Sequence, residues 1–217
     1  MTQSATERFE TAVGHIFLVR HGHTGWNEGV GERFRGRSEI ELDELGVRQA
    51  EAAAPRIAQW EAAAVYPSPL QRAMSTARIL ADFLNTEPCP IDGLIDIDYG
   101  AWQGLSLMEA RSNDPQLYSL WLESPHLAIF PQGEGLNQVR SRAVAAVESI
   151  LSSHQEQPVI LVSHKVVCKV LMCSFLGLEL SQFWQVEQHT CAINEVDIGV
   201  PSPVVRLLND TCHLRDM

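Results

Sequence analysis

Ile16-Phe17-Leu18-Val19-Arg20-His21-Gly22-His23-Thr24 is the stretch on which the reading of this chain turns. Four apolar residues in a row, bounded by polar ones, read as a buried strand. The strand runs directly into Arg20 and His21, which sets a nucleophile beside a cation. An imidazole can attack phosphorus, and a guanidinium offers a fork of donors that matches the oxygens of a transferring phosphoryl group. The pairing points to phosphoryl chemistry through a phosphohistidine. Arg-His-Gly alone is a short triplet that recurs by chance, so the rest of the chain decides its weight.

A second run of the same kind, Val159-Ile160-Leu161-Val162-Ser163, ends in His164. Ser68-Pro69-Leu70-Gln71-Arg72 follows the short apolar segment 62–66, and Asp96 stands in Leu94-Ile95-Asp96-Ile97-Asp98-Tyr99-Gly100-Ala101-Trp102-Gln103-Gly104. Strand-like runs at 16–20, 63–66, 158–163, 192–198 and 204–208 alternate with helix-like ones, which predicts an α/β domain around a central sheet. Leu45, Ala50, Ala53 and Ile57 lie at helical spacing in a helix reaching Gln59 or Trp60. Ser68-Pro69 reads as an N-cap followed by proline at the first helical position, opening a helix to about Leu84. Arg72 then falls in its first turn, where a cation opposes the helix dipole and a bound anion would supply the reason for it. From Ser106 to Pro131 the pattern breaks, and the stretch reads as an insertion over the sheet with Trp121 and Phe130 as packing residues. After Gln132-Gly133-Glu134-Gly135, helical spacing resumes with Val139, Ala143, Val147 and Ile150.

The chain has 217 residues, 45% of them hydrophobic, enough for one well-buried core. No apolar stretch is long enough to span a bilayer, and the polar segment 1–14 is unlike a leader, so a soluble, cytoplasmic protein with no membrane partner is expected. The five cysteines, Cys89, Cys168, Cys173, Cys191 and Cys212, are odd in number and scattered, which points to neither a disulfide framework nor a zinc site. A net charge of −11 argues against nucleic acid as a partner. In so acidic a chain, Arg33, Arg35 and Arg37 close to Arg20 would make a local positive well for an anion. The competing arrangement is a solvated loop paired with Glu32, Glu39 and Glu41; it stands level for Arg33, while Arg35 or Arg37 is expected at the site because the corresponding loop of similar proteins borders the pocket.

Taken in order, the segments carrying His21, Arg72, Asp96 and His164 resemble the histidine phosphatase superfamily, the phosphoglycerate mutase-like proteins. The resemblance runs from about Ile16 to the C-terminus. It implies a three-layer αβα sandwich with a mostly parallel central sheet, a tail at 1–14, one domain at 15–217 and a cap insertion at about 105–133. It also implies that His21 is the nucleophile and that Arg20, Arg72 and a protonated His164 neutralise the phosphoryl oxygens. Asn27, in the family's Thr-x-x-Asn continuation, adds an uncharged donor. No metal and no cofactor are then needed. Asp96 takes the place of the family's usual glutamate as proton donor to the leaving group and later as base towards water. Asp98, two residues on, reads instead as a loop-capping acid.

Several residues bear on the substrate. Lys165 follows His164 where relatives carry glycine; it contacts a substrate carboxylate or phosphate, or turns to solvent. His23 stands where relatives have other residues and is a weak candidate for the pocket wall. Compact Asp98-Tyr99-Gly100-Ala101-Trp102-Gln103-Gly104 is similar to the phosphatases rather than the mutases. The segments 121–126, 176–184 and 208–214 resemble the metal-independent phosphoserine phosphatases. Tyr99 stands where those enzymes carry a histidine, and His213, in the Thr-Cys-His-Leu tail, either reaches a substrate carboxylate or belongs to a frayed terminus. The expected reaction is hydrolysis of a small phosphorylated metabolite, phosphoserine leading. The alternatives are a phosphoglycerate mutase or a catalytically weakened module that binds a phosphate ligand. A homodimer is expected by analogy with many relatives, with Val196 and Ile198 on the last strand as its contact.

Overall fold

The computed structural model describes residues 12–27, 32–154, 157–199 and 202–217. The expected tail at 1–14 lies mostly outside the described residues. Five strands form one sheet in the order β2-β3-β1-β4-β5. They are β1 (Gly14–Arg20), β2 (Ala64–Pro67), β3 (Val159–Ser163), β4 (Ile193–Ile198) and β5 (Val204–Asp210). β1 and β2 both pair parallel with β3, while β4 runs antiparallel to its neighbours β1 and β5. Alternation along β1 divides the core. Ile16 and Leu18 face one side and Phe17 and Val19 the other, as the two-residue period of a strand requires.

On the Phe17 side pack α1 (Glu44–Ala58) and α2 (Gln71–Leu84). On the Ile16 side pack α5 (Leu136–Ser153) and α6 (Lys165–Phe175), with the insertion beyond them. Helices cover both faces, so the fold is the three-layer arrangement expected. The insertion is more regular than its sequence suggested. It holds α3 (Leu107–Asn113) and α4 (Pro115–Glu123). Ser106 and Glu109 close a reciprocal capping box on α3, and Asp114 caps α4 with Pro115 at its first position. Tyr99, Trp102, Trp121 and Phe130 meet edge-on or tilted beneath these helices.

Two expectations change. Helix α2 starts at Gln71 with Leu70 as its cap, and Ser68 Oγ accepts the N–H of Leu70 at 3.3 Å, ahead of the helix. Val196 and Ile198 are not on the last strand and are 0% and 2% exposed, so they belong to the core and offer no dimer contact. The edge strand is β5, whose Val204 and Leu208 are exposed. Among the described residues no helix is long and apolar enough to cross a membrane.

Candidate active site

Parallel pairing of β1 with β3 sets Arg20 opposite Ser163, so the next residues, His21 and His164, leave the sheet side by side. Their ring centroids lie 5.2 Å apart. β2, on the far side of β3, delivers Ser68 and then α2, whose first turn carries Arg72. The carboxyl ends of three parallel neighbours thus converge, which is where open α/β sheets place their ligands. Gly22 lets α1 approach this turn: a Cβ on it would lie 2.4 Å from the Gly46 carbonyl oxygen, and one on Gly46 would lie 2.1 Å from that of His23. Thr76 of α2 accepts the Gly22 N–H at 3.0 Å and fixes the same turn.

The His21 Nδ1 lies 2.6 Å from the Gly22 carbonyl oxygen. A carbonyl only accepts, so Nδ1 carries the proton and Nε2 keeps its lone pair. Nε2 is buried and has no partner among the described residues. Burial, followed by the charges of Arg72, Arg20 and Arg35, holds the His21 pKa well below its ordinary value. The ring is neutral and its lone pair is free, the state a nucleophile needs.

Arg72 is fully buried. Its Nε donates to His164 Nδ1 at 3.1 Å, Nη1 to the Ser38 carbonyl at 2.9 Å, and Nη2 to the Gly36 carbonyl at 2.7 Å and to Asp96 Oδ2 at 3.1 Å. A guanidinium cannot accept, so His164 Nδ1 bears a lone pair and its Nε2–H donates to Ser68 Oγ at 2.7 Å. Ser68 Oγ also accepts the Leu70 N–H at 3.3 Å, so it ties the residue that caps α2 to the His164 ring. His164 is therefore neutral here, contrary to the protonated form expected; burial and then Arg72 hold its pKa well below the ordinary value. Asp96 Oδ1 accepts its neighbour Ile97 N–H at 3.0 Å. Burial raises the Asp96 pKa above the usual carboxylate range, and Arg72 and Arg35 oppose the rise without cancelling it. Arg20 donates to the Gln188 carbonyl at 2.7 Å, and its Nε has no partner among the described residues. Burial, then Arg35, lowers its pKa to about 10, so it stays charged at neutral pH.

Beside this cluster opens a cavity of about 200 Å³. Arg35, Asp96, Tyr99 and Lys165 line it, with Trp121 and Trp184 as aromatic wall. Arg35 is thus the arginine of its loop that reaches the site, its Nη1 anchored on the Trp26 carbonyl. Arg33 borders the cavity too, but is held by the Gly104 carbonyl and Glu109. Arg37, expected there, lies instead against Asp98 at 3.3 Å and Glu134 at 3.4 Å and does not line the cavity. Two acids distant in sequence outcompete the pocket for it.

Asn27 uses its carbonyl oxygen to accept from Thr24 N–H and Oγ1, at 2.9 and 2.7 Å, so only its NH₂ can face an anion. His23 is tied to Asp43 at 2.6 Å and is absent from the wall. His213 sits in the turn Cys212–Leu214, which packs on α1, near Arg56 and Asp210; it does not line the cavity. Lys165 is the first residue of α6, and burial, then Arg20, lowers its pKa. Sequence reasoning missed the places of Ser68, on His164, of Glu32, in the cavity wall, and of Arg142, on the Asp96 carbonyl, each set by residues far along the chain. Among the described residues no group of three or more His, Cys, Asp or Glu could hold a metal ion.

The profile of the histidine phosphatase superfamily (branch 1) matches residues 16–211. Phosphoserine phosphatase 1 of Hydrogenobacter thermophilus is 34% identical over 199 residues, which cover 92% of this chain and 93% of that protein. The metal-independent phosphoserine phosphatase of Arabidopsis thaliana is 36% identical over 170 residues, 76% of this chain and 69% of that one. Among solved structures, Bacillus stearothermophilus YhfR superposes with a TM-score of 0.88 at 30% identity, covering 92% of this chain and 98% of its own. With the family pattern running through all but the ends of the sequence, and phosphatases as its kin, the chain belongs to branch 1 of the histidine phosphatase superfamily and is a phosphatase enzyme.

Proposed function

We propose that this enzyme hydrolyses small phosphomonoesters through a phosphohistidine on His21, with O-phosphoserine as its leading substrate. The observation that carries the reading is the partnerless Nε2 of a neutral His21 beside the buried guanidinium groups of Arg20 and Arg72, with the half-buried Arg35 next to them. Nε2 forms a bond to phosphorus as the ester P–O bond breaks, and Asp96 gives its proton to the leaving alkoxide. In the second half Asp96, now a carboxylate, takes a proton from water; the water oxygen attacks phosphorus, the N–P bond breaks and the electron pair returns to Nε2. Arg20, Arg72, Arg35 and the Asn27 amide surround the phosphoryl oxygens, and His164 completes the set through Arg72. A raised Asp96 pKa suits a proton donor.

A volume of about 200 Å³ suits a metabolite smaller than a drug-sized ligand. Lys165 and Glu32 line it with opposite charges, and neither has a hydrogen bond or ion pair with another described residue. Carboxylate on Lys165 and ammonium on Glu32 would read an amino acid in the cavity that Tyr99 also lines. The names of the two curated relatives support the same choice.

The test is phosphate release in chelator-containing buffer from phosphoserine, phosphothreonine, phosphoethanolamine, 3-phosphoglycerate, glycerol phosphate, α-ribazole phosphate and nitrophenyl phosphate. Phosphoserine should lead, with phosphoethanolamine and 3-phosphoglycerate each at least tenfold lower in kcat/KM. His21→Ala should abolish turnover, and acid quenching of the wild type should trap an acid-labile phosphoprotein. Turnover of another ester in first place would remove phosphoserine and keep the phosphatase. No release from any ester would leave the mutase, assayed with bisphosphoglycerate, or a binding module.

A further inference from the structure

Glu134 and Arg142 stand outside the cavity, yet they build the floor on which Asp96 rests. Arg142 projects from α5 towards the loop 93–98. Its Nε and Nη2 grip the two carboxylate oxygens of Glu134 at 2.9 and 3.0 Å. Nη1 donates to the carbonyls of Gly93 and Ile95 at 3.0 and 2.5 Å, and Nη2 also to the carbonyl of Asp96 itself at 3.1 Å. A guanidinium has five N–H groups, and here every one has a partner. Glu134 in turn accepts the Asp98 N–H at 3.0 Å, so the loop is held on both sides of Asp96. The loop also lies so close to α5 that a Cβ on Gly93 would come within 2.5 Å of the Ala146 Cβ.

We infer that Arg142, oriented by Glu134, is the positioning residue for Asp96: it fixes the backbone that aims the proton donor at the leaving oxygen. The inference rests on the reading of Asp96 as that donor. The loop has no ladder of its own, being irregular apart from one short 3-10 turn at Asp92–Leu94, and Ser163 of β3 ties it to the sheet only at the Leu94 carbonyl, at 2.7 Å. Side-chain donors from a rigid helix replace the missing ladder. An acid displaced by about 1 Å costs on the order of a hundredfold in rate.

Leaving groups separate positioning of the acid from general damage. kcat/KM reports phosphorylation of His21; an alkoxide needs the proton of Asp96 and nitrophenolate does not. In Arg142→Met, kcat/KM for the best alkyl phosphate should fall at least thirtyfold and that for nitrophenyl phosphate less than threefold. The limb of its pH profile set by Asp96 should move to higher pH, since Arg142 is one of the charges holding that pKa down. Arg142→Lys keeps the charge without the fork, so the alkyl rate should fall with the limb in place. Glu134→Gln should show the alkyl-selective loss in milder form, and carries the test if Arg142→Met does not fold. Equal losses on both esters, or alkyl turnover within threefold of wild type in a folded Arg142→Met, would overturn the inference. Failure of the donor reading itself shows separately, as Asp96→Asn losing no more on alkyl than on nitrophenyl esters.

Discussion

Acidification from pH 7.5 to 5.5 should destabilise this protein through two particular imidazoles. His21 and His164 are both 0% exposed and both held neutral in the fold, by burial first and by Arg72 next. Their unfolded pKa lies near the ordinary ~6.5, and the folded values lie well below it. Across that interval the unfolded chain takes up protons that the folded one refuses. Stability that is complete above the unfolded pKa is therefore lost as pH falls through it. Integrated over those two pH units, each imidazole contributes a loss of about 1.4 kcal/mol and the pair about 2.7 kcal/mol. Asp96 acts in the opposite sense. Its folded pKa is raised, so the fold retains a proton that the unfolded chain releases, and stability falls as pH rises from the ordinary carboxylate value to the raised one. The assay is urea unfolding in phosphate-free buffer at pH 5.5, 6.5 and 7.5, because a bound anion would stabilise the folded state and mask the effect. His21→Asn should shrink the difference between pH 7.5 and 5.5 by about 1.4 kcal/mol, and His21→Asn with His164→Asn by about 2.7 kcal/mol. Each protein is compared with itself, so the remaining histidines cancel. A double variant that loses as much as the wild type would refute the neutral, buried pair.

Gly22→Ala should destabilise by roughly 1–3 kcal/mol, since its Cβ meets a backbone carbonyl that no side-chain rotation can clear; thermal unfolding reads this. Ser68→Ala leaves the His164 Nε2–H without its acceptor, which costs about 1–3 kcal/mol by urea unfolding. The same variant should lower kcat more than it raises KM, because the ring that orients Arg72 is then free to turn.

Much of the site was legible because two β-branched runs each end in histidine, and parallel pairing brings equivalent strand ends together. What a strand end delivers is set by its neighbours in sequence, so Arg20, His21 and His164 could be read directly. Arg37 could not, since its fate depends on Asp98 and Glu134 and not on its own loop. Nor could the charge of His164, which hangs on one Arg72 N–H. Ser68-Pro69 has the form of a helix start, but the hydroxyl joins the Leu70 N–H to the buried His164 ring and the helix opens only at Gln71. Helices α3 and α4 were different. Ser106 with Glu109, and Asp114 with Pro115, are sequence signals of helix starts that short apolar periodicity had obscured. Val196 and Ile198 went astray because the run at 204–208, itself legible as a strand, pairs outside β4 and takes that edge of the sheet, a placement set by long-range pairing.

A Cβ on Gly22 would meet the Gly46 backbone, and one on Gly46 the backbone of His23, so the two turns touch at both positions. That mutual contact makes the two positions a single unit for variation. Enlarging one cannot be relieved by shrinking the other, since neither has anything left to remove. A library randomised at both should return glycine pairs, and the route by which this turn could drift in sequence is closed at two widely separated codons at once.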